Sequence, residues 1–276
     1  MLPLWRDQLR IGLSPDAIVL TRICRGWRPR VCEKHIEQCQ PAPKEAWPGV
    51  LETLALLLAQ EKWQNANAVV TLSSHFVRYL LIPWNTEING DQEQAAYVKH
   101  RFSKVFGASA NHWALRHSDA AAGMPVLASG IDQALLDGIR KVCAASKLKL
   151  RSVQPYLMPA FNQYRHLFKN GSAWLVLAEH GKLTLALFQH GSWQHISSHL
   201  AGNDNPAEAI TLLLERQLRL SGMEKRPGKV YLLAPGHPRI SLPRNSKWTM
   251  QQLQPEARLG LSLHECNQYA LVTGEI

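Results

Sequence analysis

One succession of elements occurs twice in this chain, and few folds accommodate that. Leu9 to Gly12 and Ala17 to Ile23 are short apolar runs separated by Ser14, Pro15 and Asp16, which predicts a hairpin, and a third strand fits Arg30 to Ile36. A proline-rich loop leads to a helix expected from Trp47 to about Asn65, with Val50, Leu51, Leu54, Leu57 and Leu58 on one face, and then to a buried strand at Ala68 to Leu72. The pattern starts again at Ala173. AWLVLAE, LTLALF and WQHISSH are three strands joined by the turns at Gly181 and Gly191, followed by a helix from Pro206 to Leu220 and the strand KVYLLAPG. Asn203 or Asp204 is available to cap that helix. A duplicated α/β unit follows, not a short-period repeat.

Between the copies lies Ile131 to Arg165. Leu135, Leu136, Ile139 and Cys143 fall at helical spacing, Leu148, Leu150 and Val153 alternate as in a strand, and a second helix begins near Pro155. This stretch joins two lobes: residues 1–155, interrupted by an insertion at about 76–129, and residues 156–276 with the linking helix at their start. Within the insertion, Phe76 to Ile82 reads as a strand, Asp91 to Phe106 as a polar helix, and the segments near His112 and Met124 as further strands. LHECNQYALVTG is expected to be a final helix.

Apolar residues make up 46 % of the chain, enough for two cores, and no run approaches the length of a membrane span. The start, MLPLWRDQLRIGLS, lacks the apolar stretch of a signal peptide. The formal charge of +10 suits anionic partners and is shared between the lobes, with 19 basic and 13 acidic residues in 1–155 and 12 and 8 in 156–276. Its densest run is Arg22, Arg25, Arg28 and Arg30 around Trp27, which reads as a solvated turn or as a phosphate contact. Five cysteines without a CxxC pair predict free thiols in a reducing compartment and no zinc. His195 and His199 share a strand face but lack a third ligand, His112 and His117 point to opposite faces, and Ser73, Ser74 and His75 read as neighbours, not as a nucleophile with its base.

VRYLLIPW (Val77 to Trp84), SKLKLRSVQP and GKVYLLAPG, together with the order of elements, resemble the actin-like superfamily. Within it the chain is most similar to the inner-membrane scaffold proteins of type IV pilus and type II secretion machines, the PilM and GspL type. The resemblance implies an actin-like α/β fold: two lobes built on duplicated ribonuclease H-like βββαβα units, with a small α+β insertion in the first. It also implies a nucleotide cleft lined by Gly12, Ser14, Gly181 and Gly236. The sequence departs from the family at each phosphate loop. Arg10 stands where a metal-side aspartate is expected, Leu177 or Ala178 replaces the second aspartate, and Pro235 stiffens the adenosine loop. A guanidinium cannot hold Mg²⁺. The expectation is therefore a non-catalytic scaffold with no metal and no required cofactor, ATP binding being the alternative, in which the chain is an ATPase of the same machinery. A displaced carboxylate at Glu179 would favour that alternative. A nucleic-acid enzyme of the ribonuclease H-like kind would need clustered acids, and no specific nucleic acid is expected. The implied partner is the cytoplasmic tail of a single-span inner-membrane assembly protein, held near the insertion, with an anionic membrane surface as a second contact. The implied location is cytoplasmic, peripheral to the inner membrane.

Overall fold

A computed structural model describes residues 6–40, 46–88, 90–169, 171–202, 206–220, 228–235, 237, 239–242, 246–255 and 259–273. No helix among them is long and apolar enough to cross a membrane.

The chain opens with an antiparallel meander of β1 (Gln8–Leu13), β2 (Ala17–Cys24) and β3 (Arg30–Gln38). Helix α1 (Ala46–Leu58) carries Val50, Leu54 and Leu58 to the core and ends seven residues before the expected Asn65. A 3-10 turn at Glu61–Trp63 takes over, burying the Trp63 indole, and Asn65 turns the chain at φ +58°. Strand β4 (Asn67–Leu72) then runs parallel to β1.

The insertion is a separate small layer. A 3-10 turn at Ser74–Phe76, where a strand was expected to begin, leads into β5 (Val77–Ile82). Helix α2 (Asp91–Phe106), β6 (Trp113–His117) and β7 (Val126–Asp132) follow, and the three strands form a sheet in the order β5-β7-β6. Ile82, Val98, Phe102 and Ala128 fill its own core. Asp132 ends β7 and caps α3 (Gln133–Ala145), its carboxylate accepting the Ala134 N–H at 2.8 Å. Helices α1 and α3 pack closely because Gly138 leaves room for Leu51; a Cβ there would stand 2.3 Å from Leu51 Cδ1. Strand β8 (Lys149–Pro155) completes the first sheet beside β4, in the order β3-β2-β1-β4-β8.

Helix α4 (Leu157–Tyr164) crosses to the second sheet, so the joining stretch ends inside the core of the other lobe. There β9 (Ser172–Glu179), β10 (Lys182–Gln189) and β11 (Ser192–Leu200) repeat the meander, α5 (Pro206–Leu220) follows, and β12 (Lys229–Leu233) runs parallel to β9. The residues named as candidate caps of α5, Asn203 and Asp204, lie outside the described residues. A strand not expected from the sequence, β13 (Thr249–Gln252), closes the order β11-β10-β9-β12-β13, the counterpart of the first sheet strand for strand. One face of this sheet, with Phe188 and Trp193, meets Phe161 of α4 and Phe168 of the 3-10 turn after it, with the Phe161 and Trp193 rings 4.5 Å apart. The other face buries Ile210 and Leu214 of α5.

Two expectations fail here. The C-terminal helices α6 (Leu263–Gln268) and α7 (Ala270–Thr273) do not extend the second lobe. They return to the first sheet, where Tyr269 and Val272 bury against Val19, Lys34 pairs with Glu265, and the Val31 N–H bonds Leu259 O at 3.0 Å. Nor are all cysteines free. The β2–β3 register brings Cys24 and Cys32 to a Cα separation of 5.9 Å across the hairpin end, and they form a disulfide; Cys39, Cys143 and Cys266 are thiols. The cysteine count therefore no longer argues for a reducing compartment.

Candidate functional site

The lobes meet where β4 leaves the first sheet and the β9–β10 hairpin leaves the second. A cavity of about 330 Å³ lies between them, lined by Ser14 and Asp16 of the β1–β2 turn, Ser73 and His75 after β4, Tyr156 before α4, Glu179 and His180, and Pro235 after β12. Residues of α6 and α7 close one side.

Across this cleft the hairpin of the second lobe grips one residue of the first. The Glu179 carboxylate accepts the Ser74 N–H at 3.1 and 3.2 Å, and Lys182 Nζ donates to Ser74 O at 2.6 Å. Both main-chain polar groups of Ser74 are thus satisfied by side chains from the other lobe. Burial pushes the Glu179 carboxyl up, while hydrogen bonds from Ser73 and Ser74 and the Lys182 charge hold it back. Burial also pulls Lys182 down to about 8, with Arg78 adding to the effect and Glu179 opposing it.

Beside this latch, Ser73 Oγ and His75 Nδ1 are 2.9 Å apart, a contact the sequence reading did not anticipate. Ser73 is fully buried and its hydroxyl accepts the His75 N–H, so it caps the turn. Burial, then the nearby Lys182 charge, lowers the His75 imidazole from 6.5 to about 4. The unfolded chain binds this proton near 6.5 and the folded one only near 4, so stability is expected to fall as the pH drops from about 6.5 to 4. Urea unfolding across that window should show the slope, and His75→Asn should flatten it.

A second concavity, about 370 Å³, opens where the insertion meets the body. Trp47, Phe76, Trp113 and Leu135 give it apolar walls, and Arg78, Asp132 and Lys182 give it charge.

No protein-family model matches this chain, and no curated protein matches it in sequence. Solved structures do match it. The chain is similar to the PilM-PilN type IV pilus biogenesis complex at a TM-score of 0.68, over 96 % of both chains with 12 % identity. It is similar to the cytoplasmic domain of EpsL, an inner membrane component of the type II secretion system of Vibrio cholerae, at 0.59, over 96 % of this chain and 94 % of that one with 12 % identity. It also matches a Bacteroides thetaiotaomicron protein with an actin-like ATPase fold at 0.59, over 100 % of both chains with 10 % identity. The fold is actin-like.

Within the actin-like cleft the expected residues fare differently. Ser14 lines the cavity, but its hydroxyl donates to Ala17 O at 2.9 Å and accepts the Ala17 N–H at 3.1 Å, while its own N–H bonds Ala17 O. With Pro15 lacking an N–H, the β1–β2 turn keeps few donors for a phosphate. Gly12 does not face the cleft. A Cβ there would stand 2.7 Å from Leu271 Cβ, so its bareness makes room for α7. Arg10 points the same way and donates to Val272 O at 3.0 Å. Gly181 supplies the positive φ (+68°) of a two-residue hairpin turn and accepts the Ala201 N–H at 3.0 Å. Gly236 lies outside the described residues. Glu179 lines the cleft and Lys182 supports it from the neighbouring concavity; of these the sequence pointed only to Glu179, as a possible metal ligand. His195 is half-buried against Trp174 and bonds Ser197 Oγ at 2.9 Å.

Proposed function

We propose that this chain is a non-catalytic actin-like scaffold that docks the cytoplasmic tail of a single-span inner-membrane partner in a type IV pilus or type II secretion-like assembly. The observation that carries the non-catalytic reading is that groups lining the cleft are engaged within the chain itself. A Mg-nucleotide would need phosphate-facing N–H groups and free carboxylates. Here the turn N–H groups of Ser14 and Ala17 are engaged, α7 covers Gly12, and the Glu179 carboxylate is bound to Ser74. These residues do not fit a Mg-nucleotide.

Fold likeness to the pilus biogenesis complex and to the EpsL domain over nearly the whole chain supports the assembly role. The groove walled by Trp47, Phe76, Trp113 and Leu135 is the docking place: aromatic anchors beside one arginine suit an extended apolar peptide. A location at the cytoplasmic face of the inner membrane follows from that role. Cytoplasmic thiol pools would keep Cys24 and Cys32 reduced, and the pairs Arg22 with Glu33 and Ile23 with Val31 hold the hairpin in register without the bond.

The test is a fluorescence titration of the full chain with a peptide carrying the cytoplasmic tail of a candidate single-span partner. Saturable binding is expected, weakened about tenfold or more by Arg78→Glu, which changes an exposed groove side chain. Binding indifferent to Arg78→Glu would move the dock elsewhere.

A further inference from the structure

The β2–β3 hairpin ends in a feature that neither lobe uses. Residues 25–30 are all exposed, and Trp27 at the tip is 98 % exposed, an indole with no packing partner. Arg25, Arg28 and Arg30 surround it, all exposed and in no ion pair among the described residues. Arg22 behaves differently. It is bound to the body through Asp7 Oδ2 at 2.8 Å, Lys62 O at 2.6 Å and Gln64 O at 3.1 Å, while the Arg25 N–H bonds Asp7 Oδ1 at 3.3 Å. These contacts and the β2–β3 pairing fix the loop at its base with or without the Cys24–Cys32 bond. A short, anchored loop therefore holds one aromatic and three guanidinium groups out in solvent; Glu33, just beyond it, is the nearest acid along the hairpin.

From this geometry we propose that the Arg25–Arg30 loop docks an anionic lipid surface, with the Trp27 indole at headgroup depth and the three arginines on lipid phosphates. An indole is favoured at the membrane interface because its ring is apolar and its N–H is wet, and guanidinium groups pair with phosphate in a bidentate way. Single-stranded nucleic acid is the less favoured partner. Its binding relies on a basic groove with several stacking rings, and this loop is a convex tip with one. Each arginine near an anionic surface contributes about fivefold to partitioning, so the loop alone binds reversibly and acts beside a second attachment. The inference does not depend on the peptide groove, and vesicle binding without peptide tests it separately.

The experiment is sedimentation of the full chain with vesicles of phosphatidylcholine, with or without about 30 % phosphatidylglycerol, in about 0.1 M salt. Binding to the anionic vesicles alone is expected, with a loss of about tenfold or more for the triple variant Arg25→Ala, Arg28→Ala, Arg30→Ala. Trp27→Ala should abolish quenching by lipids brominated near the headgroup. The control is Lys99→Ala, Lys104→Ala, Lys141→Ala, which removes the same charge from exposed positions elsewhere. An equal loss in the control, a loss below about tenfold in the arginine triple, or no vesicle binding would overturn the proposal. So would loop-dependent binding of a single-stranded oligonucleotide in place of vesicles.

Discussion

Gly12→Ala is expected to destabilise the protein by about 1–3 kcal/mol, the usual effect of forcing one more carbon into a packed contact. The added Cβ would stand 2.7 Å from Leu271 Cβ and 3.2 Å from Val272 Cγ1. Leu271 Cβ is fixed to its backbone, so α7 itself must shift, and the Arg10 bond to Val272 O goes with it. Hydrogen exchange should locate the change, with protection lost over 263–273 and kept in β9 and β10. A glycine kept bare for a phosphate would behave otherwise: alanine would leave stability unchanged in the absence of nucleotide. The substitution therefore separates a packing role for Gly12 from a ligand role.

The second large effect lies at the latch. Lys182→Met keeps the length of a side chain that is 7 % exposed but removes its bond to Ser74 O, which then keeps only the Val77 N–H, and losing a hydrogen bond from a charged group costs about 1.5–3 kcal/mol. Glu179→Gln keeps an acceptor for the Ser74 N–H while removing the charge. Because both side chains hold the same residue, their effects should not add, and a double-mutant cycle is expected to show coupling of about 0.5–3 kcal/mol. Thermal melts read the single effects, and faster proteolysis between the lobes should accompany them. Additive effects below about 0.5 kcal/mol would mean that the lobes are held by their apolar contacts alone.

The sheets were legible in the sequence because a strand announces itself locally. Apolar alternation with turns at Ser14 to Asp16, Gly181 and Gly191 placed both meanders, and their repetition gave the two-lobed fold. Strand β13 escaped because Thr249–Gln252 is a short polar edge in which only Met250 packs against the core. The pattern of the last helices was legible but their destination was not, since an amphipathic stripe does not say which sheet it will cover. The packing of Gly12 against α7 was hidden for a related reason: bare backbone facing a phosphate and bare backbone facing a helix look alike in one dimension. Ser73, Ser74 and His75 passed as bystanders because the carboxylate and ammonium groups that define them arrive from 105 and 108 residues away. The departures at Arg10 and Pro235, by contrast, were visible at once, because charge type and a missing N–H are local properties.

The central claim is that groups lining the actin-like cleft are engaged within the chain itself. The direct measurement is calorimetric titration of the full chain with Mg-ATP, supported by thermal shift at saturating nucleotide. The account predicts no saturable heat and no stabilisation beyond a salt effect. Saturable binding in the micromolar range, raising the stability by about 2.7 kcal/mol at a hundredfold excess over Kd, would contradict it.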